Sequence, residues 1–341
     1  MRALRALPLL IALAFAVSSA AYGYPIAPRP LWEQVEGATL VVLAKVEKTR
    51  EIPRAQRKED LWGDTVAILK VLETWKGEAK KTVEVEFPFG LICPAPPRYV
   101  KGKEVVAFLE RSTGSWRTVG LSYGALYPAR DEVRDLREMV MRALELQRRG
   151  KVPQADYLDW LAEAASRPAT RWHGLYPLMP GSDEMHSFYD RAGRKPLAQQ
   201  LQPEHLARIA EGFVSSPPVD RTLTMAMAVL SKHKSRKVDE AAASVIEAIL
   251  LEPSLPWITE EALKAVLRRF GDRQPERRLV RLEKLRQQCL DVNRNDSAEL
   301  AVLEEARRVW SKAKADLGIP EVPPAPASFR EVWGTGENTP S

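Results

Sequence analysis

Thiols and imidazoles are scarce: 341 residues hold two cysteines and four histidines. So few cysteines exclude a disulfide-dense ectodomain. Cys93 and Cys289 lie 196 positions apart. In an oxidising compartment they allow one bridge, and whether their Cα atoms come within reach stays open at this level. The histidines (His173, His186, His205, His233) have neither H-E-x-x-H spacing nor a Cys-x-x-Cys beside them, so no metal set is expected. There is no glycine-rich phosphate loop and no dinucleotide fingerprint, so no cofactor is expected. Apolar runs are also few. The longest, Leu7 to Val17, is shorter than the roughly 20 residues needed to span a bilayer. No second run follows, which argues against a transmembrane helix.

That first run has its own meaning. Arg2 and Arg5 precede it, and Ser18, Ser19, Ala20, Ala21 and Gly23 follow it. A basic start, an apolar stretch and small residues form the pattern of a secretory signal peptide, here residues 1–23. The expectation is an exported chain, periplasmic or secreted, of bacterial type. The formal net charge is +6, and residues 264–294 hold ten basic side chains against four acidic ones.

From about 38 to 121 the pattern is β. Ala38 to Val46 is an apolar, β-branched run, and Glu47 to Asp60 reads as a charged loop. Thr65 to Trp75 is a second strand. In Thr82 to Phe87, valine and phenylalanine alternate with glutamate. Phe89 to Gly102 is a proline-rich loop, and Glu104–Leu109 and Ser115–Leu121 complete five strands. Five short strands without a βαβ crossover predict a small antiparallel barrel or sandwich.

The runs Thr39–Val46, Val71-Leu-Glu-Thr-Trp-Lys-Gly77, Val83-Glu-Val85 and Gly102–Leu109 resemble the netrin-module and tissue-inhibitor-of-metalloproteinase OB-fold, bacterial exported type. The resemblance spans residues 35–128 and implies an OB-like β-barrel over 24–130. It also implies a protease-directed role. In the tissue inhibitors an N-terminal cysteine chelates the protease zinc. This chain has no cysteine before Cys93, so any inhibition would be of a non-chelating kind.

From 131 the period becomes helical. Val133, Leu136, Val140, Ala143 and Leu144 form one face, expected to pack on the barrel. A second helix is expected near 154–166. Residues 168–202 read as irregular. Six helices follow, in hairpins starting near 203, 237 and 275, a rhythm that resembles HEAT-like helical pairs. An irregular bundle is the alternative. Residues 131–318 thus read as an α-helical domain, and the proline-rich 319–341 as a disordered tail. The fold class expected is α+β: a five-stranded OB-like barrel followed by an all-α domain of helical hairpins.

Chemical signals are fewer. Gly120-Leu-Ser122-Tyr-Gly124 fits the G-x-S-x-G nucleophile elbow, which makes Ser122 the catalytic candidate and a serine hydrolase one alternative. A strand-ending turn is the plainer account. Trp172, Tyr176, Phe188 and Tyr189 stand among polar and arginine residues, in the manner of a binding surface or of aromatics plugging a seam. Arg273, Arg277, Arg278 and Arg281 suit an anionic partner or a solvated helix face. The leading expectation is a non-enzymatic binding or scaffold protein of the envelope, with a protein partner or an anionic envelope component. Export and the lack of interleaved stacking aromatics argue against nucleic acid.

Overall fold

The computed structural model describes residues 27–56, 63–89, 96–112, 114–182, 195–252, 256–291 and 296–326. Strands β1 (Leu40–Glu51), β2 (Thr65–Lys76), β3 (Thr82–Phe87), β4 (Glu104–Ser112) and β5 (Ser115–Thr118) pair in the order β1-β2-β3-β5-β4, and β4 returns to β1. The result is a closed ring of five strands with OB-like connectivity. A short β6 (Ala125–Leu126) adds to β4. One pairing departs from the antiparallel expectation: β3 and β5 run parallel, over Val85–Trp116 and Glu86–Arg117 only.

Side-chain alternation explains the inside of the ring. Val83, Val85 and Phe87 of β3 point inward with Leu40, Val42, Ala44 and Val46 of β1 and Val105, Ala107 and Leu109 of β4. β1 and β4 are buried on the other face too. There Val41, Val106 and Phe108 join a second core, shared with the helices. Burial on both faces is why these strands read as continuous apolar runs while β3 alternates. β1 also runs further than expected. Lys48 to Glu51, read as loop from their charge, pair with Thr65 to Ile68. Ladder hydrogen bonds hold these residues rather than burial, so composition hid them.

The Thr-Trp-Lys-Gly end of β2 has a local reason. Trp75 is buried in the shared core, and the Lys76 ammonium donates to the carbonyl of Val35 (2.6 Å). Gly77 turns at φ +74°, where a Cβ would sit 2.4 Å from the carbonyl oxygen of Thr39, so only glycine fits.

Two helices fasten the ring. Helix α1 (Leu31–Gly37), not foreseen from the sequence, buries Leu31, Gln34 and Val35. α2 (Val133–Arg148) packs on the ring as expected, burying Leu136, Met139, Val140 and Ala143. Its Arg137 donates to Glu73 of β2 (2.6 Å), and its Gln147 donates to the carbonyl of Trp32 in α1 (3.0 Å).

Beyond α2, α3 (Gln154–Ser166) packs on α4 (Arg171–Leu178), and α5 (Pro203–Ser215) and α6 (Thr222–Val229) rest on α3 and α4 rather than chiefly on each other. α7 (Arg236–Ile249) with α8 (Pro256–Arg269), and α9 (Pro275–Asp291) with α10 (Asp296–Leu317), complete the series. α3, α5 and α7 touch in succession as one layer, and α4, α6 and α8 as another. α9 and α10 pack on α8, and α10 also reaches α7 through Trp310 Nε1 to Glu247 (2.8 Å). The pairing begins one step earlier than the hairpins expected from 203.

Helix α4 lies inside the stretch read as irregular, and 3-10 turns occupy Pro180–Ser182 and Leu197–Gln200. α4 approaches α3 so closely at Gly174 that a Cβ there would lie 2.3 Å from the Ala165 nitrogen. α5 opens on a reciprocal cap, with Gln202 and His205 each bonding the other's backbone.

The tail expected to be disordered from 319 begins docked. Ile319 and Ala325 are buried, and the Ala325 N–H donates to the Ser244 carbonyl on α7 (2.9 Å). Residues 327–341 lie outside the described residues, as does the expected leader within 1–26. Among the described residues, no helix is long and apolar enough to cross a membrane.

Candidate functional site

The short parallel pairing of β3 with β5 opens the surface of the ring. Residues 82–84 of β3 have a strand partner on the β2 side but, among the described residues, none on the β5 side. An open groove of about 690 Å³ fills the gap. Its floor reaches the apolar interior at Leu40 and Val83, and the buried Val66 also lines it. One wall carries Glu84 and Glu86 of β3, and the other carries Arg111, Ser115 and Trp116 of the β4–β5 hairpin. Arg50 and Ile52 close one end, and the β2–β3 turn at Glu78 to Lys80 closes the other.

The groove's polar groups are held in place rather than free to collapse. Arg50 donates to Glu84 (3.1 Å) and the Ser115 hydroxyl donates to Glu86 (2.6 Å). The Arg111 guanidinium sits 4.9 Å from the ring centre of Trp116, a cation–π contact that orients both side chains. A neighbouring hollow of about 330 Å³ shares Glu86 and Arg111 and adds Arg29, Glu110 and Arg117. Charges of both signs, hydrogen-bonding edges and one aromatic therefore run along one surface. That chemistry suits an extended chain with donors and acceptors. It does not suit a polymer of one charge sign.

None of these groove residues stood out in the sequence. They come from strands separated by up to 76 positions, as Leu40 and Trp116 are, and ring closure alone makes them neighbours. The only local signal was outward-facing glutamate in β3.

The residues singled out from sequence have other places. Trp172 and Tyr176 are buried in α4. Tyr176 stacks on Trp172 at 5.0 Å, and Tyr123 stacks on the same indole at 6.3 Å. These two rings therefore seal the seam between ring and helices and present no binding surface. Phe188 and Tyr189 lie outside the described residues. Cys289 is buried in α9 with a free thiol, while Cys93 lies outside the described residues.

Ser122 sits half-buried in a 3-10 turn (Leu121–Gly124) that runs into β6, not into a helix. Positive φ falls on Gly120 (65°) and Leu121 (55°), not on the serine as a nucleophile elbow demands. The glycine of the motif's end has a packing reason, because a Cβ on Gly124 would lie 2.2 Å from the Val119 carbonyl oxygen. The turn thus follows the strand-ending account.

His173 and His205 serve the fold. Nδ1 of His173 accepts the Leu31 N–H (3.1 Å), capping α1 from α4. Full burial pushes its imidazole down to a pKa of about 3, so it stays neutral. Nδ1 of His205 accepts the Gln202 N–H (3.1 Å). Among the described residues no group of three or more His, Cys, Asp or Glu side chains is placed to hold a metal ion.

The basic stretch divides into two sets. Arg278 is tied to Asp272 and Asp316, each at 2.6 Å, and is half-buried. Arg273, Arg277 and Arg281 are exposed, and the nearest acid to Arg281 is Glu305 at 3.7 Å. No family model matches the chain, and no curated protein matches it.

Proposed function

We propose that this chain is an exported binding protein of the bacterial envelope that holds an extended segment of a partner protein in the β3–β5 groove. One observation carries the reading: among the described residues β3 has no strand partner on one side along residues 82–84, inside a groove with an apolar floor and walls of both charges. A strand-like peptide can lie against such an edge through main-chain hydrogen bonds and place alternate side chains on the floor. Arg111 and Trp116 supply the side-chain types that most often dominate an interface. The leader-like residues 1–23 and the resemblance to exported OB-like modules support the same reading. The stacked helices supply a rigid mount for the groove, because α1 and α2 share one core with the ring.

The test is capture from envelope extract with the immobilised chain, comparing wild type with the double variant Arg111→Glu/Trp116→Ala. The expected result is one discrete protein retained by wild type at low and high salt. The double variant should weaken that retention about thirtyfold, the loss of one interface hot spot. Its unfolding midpoint should stay within a few degrees of wild type. Equal retention by the variant, or no discrete protein with wild type, overturns the reading.

A further inference from the structure

We propose that the outer face of α9 is a docking surface for an anionic lipid bilayer. The segment 264–294 carries +6 and the whole chain +6, so the rest of the chain is balanced. The fold then sorts these cations. Lys264 lies 2.6 Å from the buried Glu260 and 2.8 Å from Glu261, and Arg286 lies 2.7 Å from Glu260. Arg269 is buried against Asp239 at 2.6 Å. Arg268 pairs with Glu276, and Arg278 with Asp272 and Asp316. These cations are neutralised inside the molecule.

Three others have no ion-pair partner among the described residues, and Arg281 has only Glu305 at 3.7 Å, a carboxylate already held by Arg308 at 2.5 Å. Arg273, Arg277, Arg281 and Lys284 recur at i, i+4, i+8 and i+11 and are exposed. Arg277, Arg281 and Lys284 lie on α9, where that spacing puts them in one row about 10 Å long, and Arg273 lies just before the helix begins at Pro275. The row lies opposite Leu279, Leu282 and Cys289, which face the core. Of the three acids of α9, Glu276 is engaged with Arg268, Glu283 sits on the flank about 100–160° from the basic row, and Asp291 stands at the helix end, seven positions past Lys284. Val280 stands within the row and is 63% exposed, an apolar side chain among cations.

This pattern selects the occupant. The row is a straight, convex helix face, and none of the cavities described above draws a lining residue from α9. It therefore encloses no discrete ligand. Long cationic side chains on a straight face match a plane of diffuse negative charge, and an exposed valine among them can enter the headgroup layer. Each lysine or arginine near such a surface contributes about a fivefold gain in partitioning.

The test is co-sedimentation of the full chain with phosphatidylcholine vesicles, with and without 30% phosphatidylglycerol. Binding is expected only to the anionic vesicles at 50 mM salt, and its loss at 500 mM. The variant Arg273→Gln/Arg277→Gln/Arg281→Gln/Lys284→Gln should weaken binding by two orders of magnitude or more. A control that removes four ring cations (Lys45→Gln/Lys48→Gln/Lys101→Gln/Lys103→Gln) should change it less than threefold. Val280→Asp should weaken binding about tenfold. All these residues are exposed, so unfolding midpoints stay unchanged and the readout is not lost to misfolding. An equal loss in the ring control shows net charge alone and overturns the proposal. So does binding to a soluble polyanion such as heparin with none to anionic vesicles.

Discussion

The strand ring and the helix array solve the same burial problem in opposite ways. The ring closes on itself: five strands pair in a circle that gapes only beside residues 82–84 of β3 among the described residues, and a small interior of valine, leucine and alanine fills the centre. The array does not close. Each helix pair leans on the next, and the core runs along the series to a last pair packed on α8. Yet the two are not separate bodies. Val41, Trp75, Val106 and Phe108 on the outside of the ring belong to the same apolar cluster as Trp160, Leu175 and Ile209 of the helices. The change of periodicity near 131 therefore marks a change of element type, not a break in the core. A closed ring spends one face on itself and keeps the other to lend, and here β1 and β4 lend theirs to the helices.

The sharpest way to break this picture is at Trp160. Its indole is fully buried, sits 5.1 Å from Trp32 and donates to the Met139 carbonyl (3.1 Å). It thus joins α3 to α1 and α2. Trp160→Ala should cost about 3–5 kcal/mol, as deletion of a buried aromatic does. Hydrogen exchange in β3 and helical ellipticity should then lose protection in one transition. A β3 that stays protected after the helices melt would show two independent units.

The next effect comes from His173, which ties α1 to α4. Its folded pKa of about 3 lies below the unfolded 6.5. Above pH 6.5 both states are neutral and stability is unaffected by this group. As pH falls from 6.5 toward 3 the unfolded chain takes up a proton that the folded chain refuses, so stability drops by about 1.4 kcal/mol per pH unit. By pH 4.5 the loss is about 3 kcal/mol. Urea unfolding of wild type and His173→Gln across that range checks it, because the variant should lack this part of the slope. Equal slopes in both would remove His173 from the seam.

The smallest effect lies on the surface of the same seam. Burial pushes the Asp159 carboxyl up, but hydrogen bonds from Arg208 (2.7 Å) and Arg142 outweigh it and hold the group below its usual value. Arg167 bridges Glu138 (2.6 Å) and Glu163 (2.7 Å) beside it. This network links α2, α3 and α5, but its side chains are about one-third exposed. Arg208→Ala should cost no more than about 1 kcal/mol, and less in high salt. A loss above 2 kcal/mol would give the charged rim a share of the work now assigned to the apolar core.

How legible all this was depends on how local the cause is. The alternation of Val83, Val85 and Phe87 and the helix spanning 203–215 are written in neighbouring residues, and both stand where the pattern put them. α1 was missed because seven residues carry too little periodicity, although Leu31, Gln34 and Val35 already have i, i+3, i+4 spacing. α4 was missed because Gly174 and Pro177 read as loop residues. The glycine is instead required by the close approach of α3. Ser122, Trp172 and Tyr176 drew attention by residue type. The fold uses them in a turn and in a seam.

The sequence alone, through the 2-residue and 3.6-residue periods of its apolar side chains, determined that a strand region precedes a helical one. It also determined that positive charge gathers near residue 280. Tertiary structure alone decided which of those cations stay free, because pairing with Glu260, Asp239 or Asp316 needs helices brought together from far along the chain. It alone decided the groove as well. A parallel contact between β3 and β5 exists only once the ring has closed, and side chains from five strands become one surface at that step.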